Sequence, residues 1–192
     1  MKNILIINGN PVKESYSMAL ADAYRKGAEK SGAEIKMISL IDFDFGTPFL
    51  KDFKTPNDSE DLKKAQELIA WSHHIVWVYP TWWYLPPALV KAFIEHVFLP
   101  GFAFKYKSNP NRVAWDSYLT GKTTHFIATM DAPPFFYRLF IGNPGGKAMK
   151  NTMTFCGIKV SKQTYFGSLK VSDEAKRKKW LLETEKLGEK LI

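Results

Sequence analysis

Apolar residues along this 192-residue chain follow two rhythms. Short unbroken runs rich in β-branched residues alternate with longer stretches in which apolar positions recur every three or four residues. These are the signatures of buried strands and of helices with one covered face. KNILIINGN, at the start, reads as a strand buried on both faces that ends in a Gly-Asn-Pro loop. SYSMALADAYRKGAEKSG places Met18, Ala21, Tyr24 and Ala28 at helical spacing and stops at Gly32. EIKMISL is a second strand, and from Ile41 to Asp58 no period is sustained, which predicts a long loop. SEDLKKAQELIAWS carries a helical pattern through Leu62, Ala65, Leu68 and Ile69 behind a cap candidate, Ser59. HIVWVYP predicts a third strand, and PPALVKAFIEHVF a helix whose prolines fall in the first turn, where a missing N–H costs nothing. TTHFIATM is a fourth strand, residues 131–146 a Pro/Gly-rich loop with a run of aromatics, GIKVSKQTYFG a fifth strand, and a last helix starts at about Ser172.

Strands that alternate with helices at this spacing predict a parallel sheet covered on both faces, with right-handed crossovers. The expected fold class is α/β: one domain over residues 1–192, a flavodoxin-like three-layer sandwich with a five-stranded parallel sheet of order 2-1-3-4-5. In such sheets ligands bind beyond the carboxyl ends of the strands, beside strands 1 and 3. That selects three loops, 8–17, 80–87 and 129–146, for their chemistry.

Composition narrows the classes. The stretch Leu68–Val90 has no Asp, Glu, Lys or Arg and by length could span a membrane, but Pro80, Pro86 and Pro87 would break the continuous helix that lipid demands. No transmembrane segment is expected. MKNILIING has no long apolar core of a signal peptide and the lone Cys156 cannot pair within the chain, so a cytoplasmic location is expected. A net charge of +8 suits nucleic acid, a membrane surface or a small anionic ligand. The densest basic cluster, Lys176 to Lys179, shares its helix with Asp173, Glu174, Glu183, Glu185 and Glu189 and reads as a solvated face; no nucleic-acid partner is expected. His73, His74, His96 and His125 form no metal-ligand spacing, and Cys156 in TFCGI reads as a small buried residue.

The first loop, NGNPVKESYSMAL, gathers Asn10, Ser15 and Ser17 around a helix start, where open N–H groups and the helix dipole suit a phosphate. Simple capping by Ser15 is the plainer reading. Neither G-x-x-x-x-G-K-[ST] nor G-x-G-x-x-G is present, which leaves a mononucleotide as the phosphate ligand to consider. The second loop, PTWWYLPP, is stiffened by prolines and offers Trp82, Trp83 and Tyr84 to a planar ligand, or to packing in the core or between subunits.

PTWWYLPPALVKAFIEHVFLPGFAF resembles the flavodoxin-like NAD(P)H:quinone oxidoreductase family, which carries a P-x-W-[WF] loop after strand 3 and a later G-F-A-F segment. INGNPVKESYSMALAD resembles that family's phosphate loop, and FCGIKV its last strand entry. The resemblance implies a homodimeric flavoenzyme that takes a hydride from NAD(P)H and passes two electrons to a quinone-like acceptor. It implies that Asn10, Ser15, Tyr16, Ser17 and Ala19 hold the flavin phosphate region. Pro80, Thr81, Trp82, Trp83 and Tyr84 would line the ring, and Thr129, Met130, Asp131 and Ala132 would close over its other side. The better known mammalian branch has T-T-G-G after strand 4 with a Tyr and a His nearby. Here the loop is TMDAPP, resembling a bacterial branch, with Tyr137 at the tyrosine's offset and Asn143 near the histidine's place. These two are the catalytic candidates, Tyr137 as a donor to the ring edge or a quinone contact. FMN and FAD both remain open, with FMN ahead. An electron-carrier flavodoxin and an ancillary subunit of a potassium efflux system are the rival expectations.

Overall fold

A computed structural model describes residues 1–47, 49–52, 59–108 and 112–191. Residues 48 and 53–58, within the expected loop from Ile41 to Asp58, and residues 109–111 lie outside the described residues.

The elements in chain order are β1 (Asn3–Asn8), α1 (Tyr16–Lys30), β2 (Glu34–Ser39), α2 (Glu60–Trp71), β3 (His74–Pro80) and α3 (Ala88–Val97). A short pair follows, β4 (Phe104–Tyr106) and β5 (Trp115–Ser117), and then β6 (Thr123–Thr129), α4 (Pro134–Leu139), α5 (Pro144–Phe155), β7 (Lys159–Phe166) and α6 (Glu174–Glu189). The main sheet runs β2-β1-β3-β6-β7, all parallel, which is the expected order 2-1-3-4-5.

Alternation along β1 explains the three layers. Ile4 and Ile6 point to one face and pack with Leu20, Tyr24 and Ala28 of α1, Val76, Val78, and Leu187 of α6. Leu5 and Ile7 point to the other, joining Leu62 and Ile69 of α2, Phe93 and Val97 of α3, and Met149 and Met153 of α5. Every one of these side chains is nearly or fully buried, so both faces of the sheet drive folding through apolar burial. Among the described residues no helix is long and apolar enough to cross a membrane.

Three local expectations are corrected. The expected loop 131–146 contains α4 and opens α5, because Pro134 and Pro144 each start a helix at a position that needs no N–H donor. No element was expected between α3 and β6, yet β4 and β5 form an antiparallel pair there. Ser59 does not cap α2 through its side chain; its hydroxyl donates to the Asp44 carbonyl at 2.8 Å.

Candidate functional site

The carboxyl ends of β1, β3 and β6 bring the three loops together. After β1, Gly9 N–H donates to Val78 O at 2.8 Å, which joins the first loop to β3. Asn8 Oδ1 accepts from Asn10 N–H at 3.2 Å, and Asn10 Oδ1 accepts from Val12 N–H at 2.9 Å, so two buried amides fold the chain back over the strand end. Asn10 Nδ2 also donates to the buried Ser17 hydroxyl at 3.2 Å.

Ser15 caps α1, accepting from Met18 N–H at 3.3 Å. That is the plainer of the two roles weighed for it, and it orients the helix start. Ala19 N–H is spent on Ser15 O at 3.2 Å. The N–H groups of Tyr16 and Ser17 donate to no acceptor among the described residues. The Tyr16 side chain turns away: its hydroxyl donates to Arg177 O of α6 at 2.7 Å, and burial pushes its pKa up to about 12 against the opposing pull of Arg177.

The aromatic loop is a two-residue turn. Trp82 N–H donates to Leu85 O and Leu85 N–H to Trp82 O, both at 2.9 Å, and the two residues between them are left-handed, Trp83 at φ +48° and Tyr84 at φ +66°. This is the type I′ hairpin geometry that Asn-Gly normally fills. A non-glycine residue in that region costs about 1–2 kcal/mol each, so the turn is strained and other contacts must hold it. Thr81 N–H donates to Thr129 O at 2.7 Å on one side. On the other, the Tyr137 hydroxyl donates to Tyr84 O at 2.8 Å and accepts from Gly145 N–H at 3.0 Å. A Cβ on Gly145 would lie 2.7 Å from Tyr84 O and 2.8 Å from the Tyr137 oxygen, so only glycine lets the start of α5 come this close. The Trp83 and Tyr84 N–H groups donate to no acceptor among the described residues, and the Trp83 side chain is 91% exposed.

Tyr137 therefore sits beneath the turn rather than at its open side. It is 2% exposed, its single proton is committed to Tyr84 O, and burial raises its pKa against the backbone donors of Gly145 and Gly146. In this geometry the hydroxyl clamps the turn. Asn143, in a left-handed conformation just before α5, accepts from the Tyr165 hydroxyl at 2.8 Å and donates to Gln163 Oε1 at 3.1 Å. It joins α5 to β7. Tyr165 stacks edge-on to Tyr137, with ring centroids 5.6 Å apart. Tyr165, Gln163 and Gly145 were not singled out in the sequence; the one signal was the Asn-Pro-Gly-Gly run at a helix start.

The third loop is fixed from β7. Met130 N–H donates to Phe166 O at 2.9 Å, Leu169 N–H to Met130 O at 3.1 Å, and Asp131 Oδ1 accepts from Lys170 N–H at 3.1 Å. Ala132 O accepts from Ser168 N–H at 3.3 Å, while Thr129 and Met130 are buried. The arrangement offers two sets of open N–H donors, one at a helix N-terminus and one on a rigid aromatic turn. Donors of the first kind suit a phosphate and of the second the edge of a flat heterocycle.

A family model described as a flavodoxin-like fold matches residues 2–189. An uncharacterized NAD(P)H oxidoreductase of Haemophilus influenzae is 25% identical over 184 residues, covering 92% of this chain and 89% of its own. The mouse ribosyldihydronicotinamide dehydrogenase (quinone) is 25% identical over 205 aligned positions, covering 92% of this chain and 86% of its own. A solved structure from Streptococcus mutans UA159 superposes with a TM-score of 0.82 at 25% identity, covering 98% of this chain and 99% of that one. The chain belongs to the flavodoxin-like fold family, and curated relatives similar to it over most of its length are named as NAD(P)H- and quinone-linked oxidoreductases.

Proposed function

We propose that the protein is a flavin-dependent NAD(P)H:quinone oxidoreductase. The carrying observation is the Trp83-Tyr84 turn, a strained conformation held by Tyr137 with its two N–H groups open, at the same sheet end as the open N–H groups of Tyr16 and Ser17. Strain of this kind persists where the surrounding structure enforces it, and it clusters at ligand sites.

The residues fit a flavin mononucleotide. Asn10, Ser15, Tyr16, Ser17 and Ala19 form the helix start that receives the phosphate, through the Tyr16 and Ser17 N–H groups and the Ser17 hydroxyl proton. Pro80, Thr81, Trp82, Trp83 and Tyr84 line the ring, with Thr129, Met130, Asp131 and Ala132 across from them. One helix start with open donors suits one phosphate group, which favours FMN over FAD. The chemistry supplied by a bound flavin is two-electron transfer, taken up from NAD(P)H and given on to a quinone or similar flat acceptor in a ping-pong sequence. The chain's own contribution is positioning: it fixes the ring plane so that nicotinamide and then acceptor lie flat against it. Tyr137 and Asn143 act in that positioning, the first on the turn and the second on the start of α5.

A homodimer completes the proposal. An apolar groove of about 390 Å³ runs between α3, α5 and the β4–β5 pair, lined by Leu85, Ile94, Phe98, Phe104, Met149 and Phe155, and it opens beside the turn. A second copy would cover it.

The absorbance spectrum of the purified protein, with the mass of the released cofactor, tests the reading. Flavin bands that bleach with NADPH or NADH and return on adding a quinone are expected. A colourless protein that takes up neither FMN nor FAD would overturn it.

A further inference from the structure

Charge is unevenly placed along the chain. From Ala132 to Ser172 there is no Asp or Glu, while Arg138, Lys147, Lys150, Lys159, Lys162 and Lys170 all fall in that stretch. All six are exposed, and none makes an ion pair among the described residues.

The same stretch contains a helix turned inside out. On α4 and its C-cap residue, Phe135 is 62% exposed, Phe136 41%, Leu139 77% and Phe140 72%, while Tyr137 is the buried residue. At about 100° per residue these four fall within one arc of about 140°, and the buried Tyr137 lies outside it. Phe136 and Phe140 stack on one another, 5.5 Å between centroids. None of the four lines the groove between α3 and α5. The apolar face continues onto Val171, 83% exposed, because Ser168 N–H on Ala132 O and Lys170 N–H on the Asp131 carboxylate seat that segment beside the start of α4. Basic groups flank the patch at Arg138 and Lys170, and Lys147 lies in the first turn of α5.

We propose that this face, the α4 stripe with its flanking cations, docks the protein on an anionic lipid bilayer. Apolar side chains backed by unpaired lysines and arginines form the two-part signal that holds a peripheral protein at a membrane, neither part sufficing alone. Charge complementarity selects the partner: a neutral or acidic surface would leave the acid-free stretch unmatched. Trp83 is almost fully exposed, its neighbour Tyr84 is tied to α4 through Tyr137, and the amphipathic Trp83 ring suits the headgroup region. If the flavin reading holds, a lipid-dissolved acceptor reaches the ring from the bilayer; the docking itself does not depend on that reading.

Vesicle co-sedimentation of the full chain tests this, using phosphatidylcholine vesicles with and without phosphatidylglycerol. Binding to the anionic vesicles is expected, lost on plain phosphatidylcholine and lost near about 1 M salt, where screening shortens to about 3 Å. The double variant Leu139→Ser with Phe140→Ser should weaken partition about tenfold or more, and Lys147→Gln with Lys170→Gln about tenfold. Both variants should keep the wild-type melting temperature, flavin content and turnover with a water-soluble acceptor. Wild-type protein that ignores anionic vesicles overturns the proposal. So does a Leu139→Ser, Phe140→Ser variant that binds vesicles normally, or one that changes from dimer to monomer, which would make the stripe a contact between copies. Loss of flavin or of NAD(P)H oxidation in the wild type would count against the flavoenzyme reading alone.

Discussion

At the scale of single residues, two buried groups make pH-dependent statements. His74 is fully buried in β3, its Nδ1 2.7 Å from Thr123 Oγ1, and burial lowers its pKa to about 3, with Lys2 and His125 adding to the effect. The folded form is thus the weaker base. Between about 6.5 and about 3 the unfolded chain holds more protons, so His74 makes stability rise with pH and fall as acid is added through that window. The slope per fully titrating group is about 1.4 kcal/mol per pH unit. Urea unfolding at pH 7 and pH 4.5 should show the wild type losing more stability than His74→Gln; equal losses would refute the assignment. Cys156 makes the opposite kind of statement. Burial raises its thiol to about 11, so little thiolate exists near neutrality. Iodoacetamide should leave native Cys156 unmodified at pH 7.5 and react promptly once urea unfolds the chain.

At the scale of elements, the controlling piece is α4. Its Tyr137 satisfies a donor on α5 and an acceptor on the aromatic turn with one hydroxyl. Tyr137→Phe would leave Tyr84 O and Gly145 N–H without that partner, at a cost of about 1–3 kcal/mol if neither rehydrates. Because the turn is strained, the change should appear first as loss of its left-handed geometry. Flavin affinity is expected to drop about tenfold, for about 1.4 kcal/mol of lost preorganisation, with a smaller loss from Trp83→Ala. Titration of apo-protein with FMN, followed by flavin fluorescence, measures both. Unchanged affinity in Tyr137→Phe would mean the clamp is purely structural. This part of the site was not legible in the sequence. The resemblance could single out Tyr137 by its offset, but the direction of a hydroxyl bond is decided by what packs around it. Helix α5 escaped for a related reason: PGGKAMKNTMTF pairs two glycines with Asn and Thr, poor helix formers, and its start is fixed by Tyr137, Tyr165 and Asn143. By contrast, NILIIN and HIVWVYP declared themselves because a strand buried on both faces has to be continuously apolar.

At the scale of the whole molecule, the sheet order and the placement of the three loops were legible, since alternating strand and helix lengths leave few parallel topologies. Surface chemistry was not. A count of +8 concealed that the stretch from Ala132 to Ser172 carries six cations without an acid, and the sequence could not tell which aromatics meet water. The structure shows two apolar faces, the outward stripe on α4 and the groove between α3 and α5. The proposed dimer would close over the groove, and a charge put there should then break it. Ile94 lies on α3 within the groove and is only partly buried in the single chain, so Ile94→Glu leaves its carboxylate hydrated in the monomer. In a dimer the same carboxylate would be desolvated opposite apolar side chains, which costs several kcal/mol without a partner. Sedimentation equilibrium should therefore give twice 22.0 kDa for the wild type and 22.0 kDa for Ile94→Glu, with the variant's melting curve still cooperative. A wild type that sediments as one chain would remove the dimer, and an Ile94→Glu variant that stays dimeric would move its contact away from this groove.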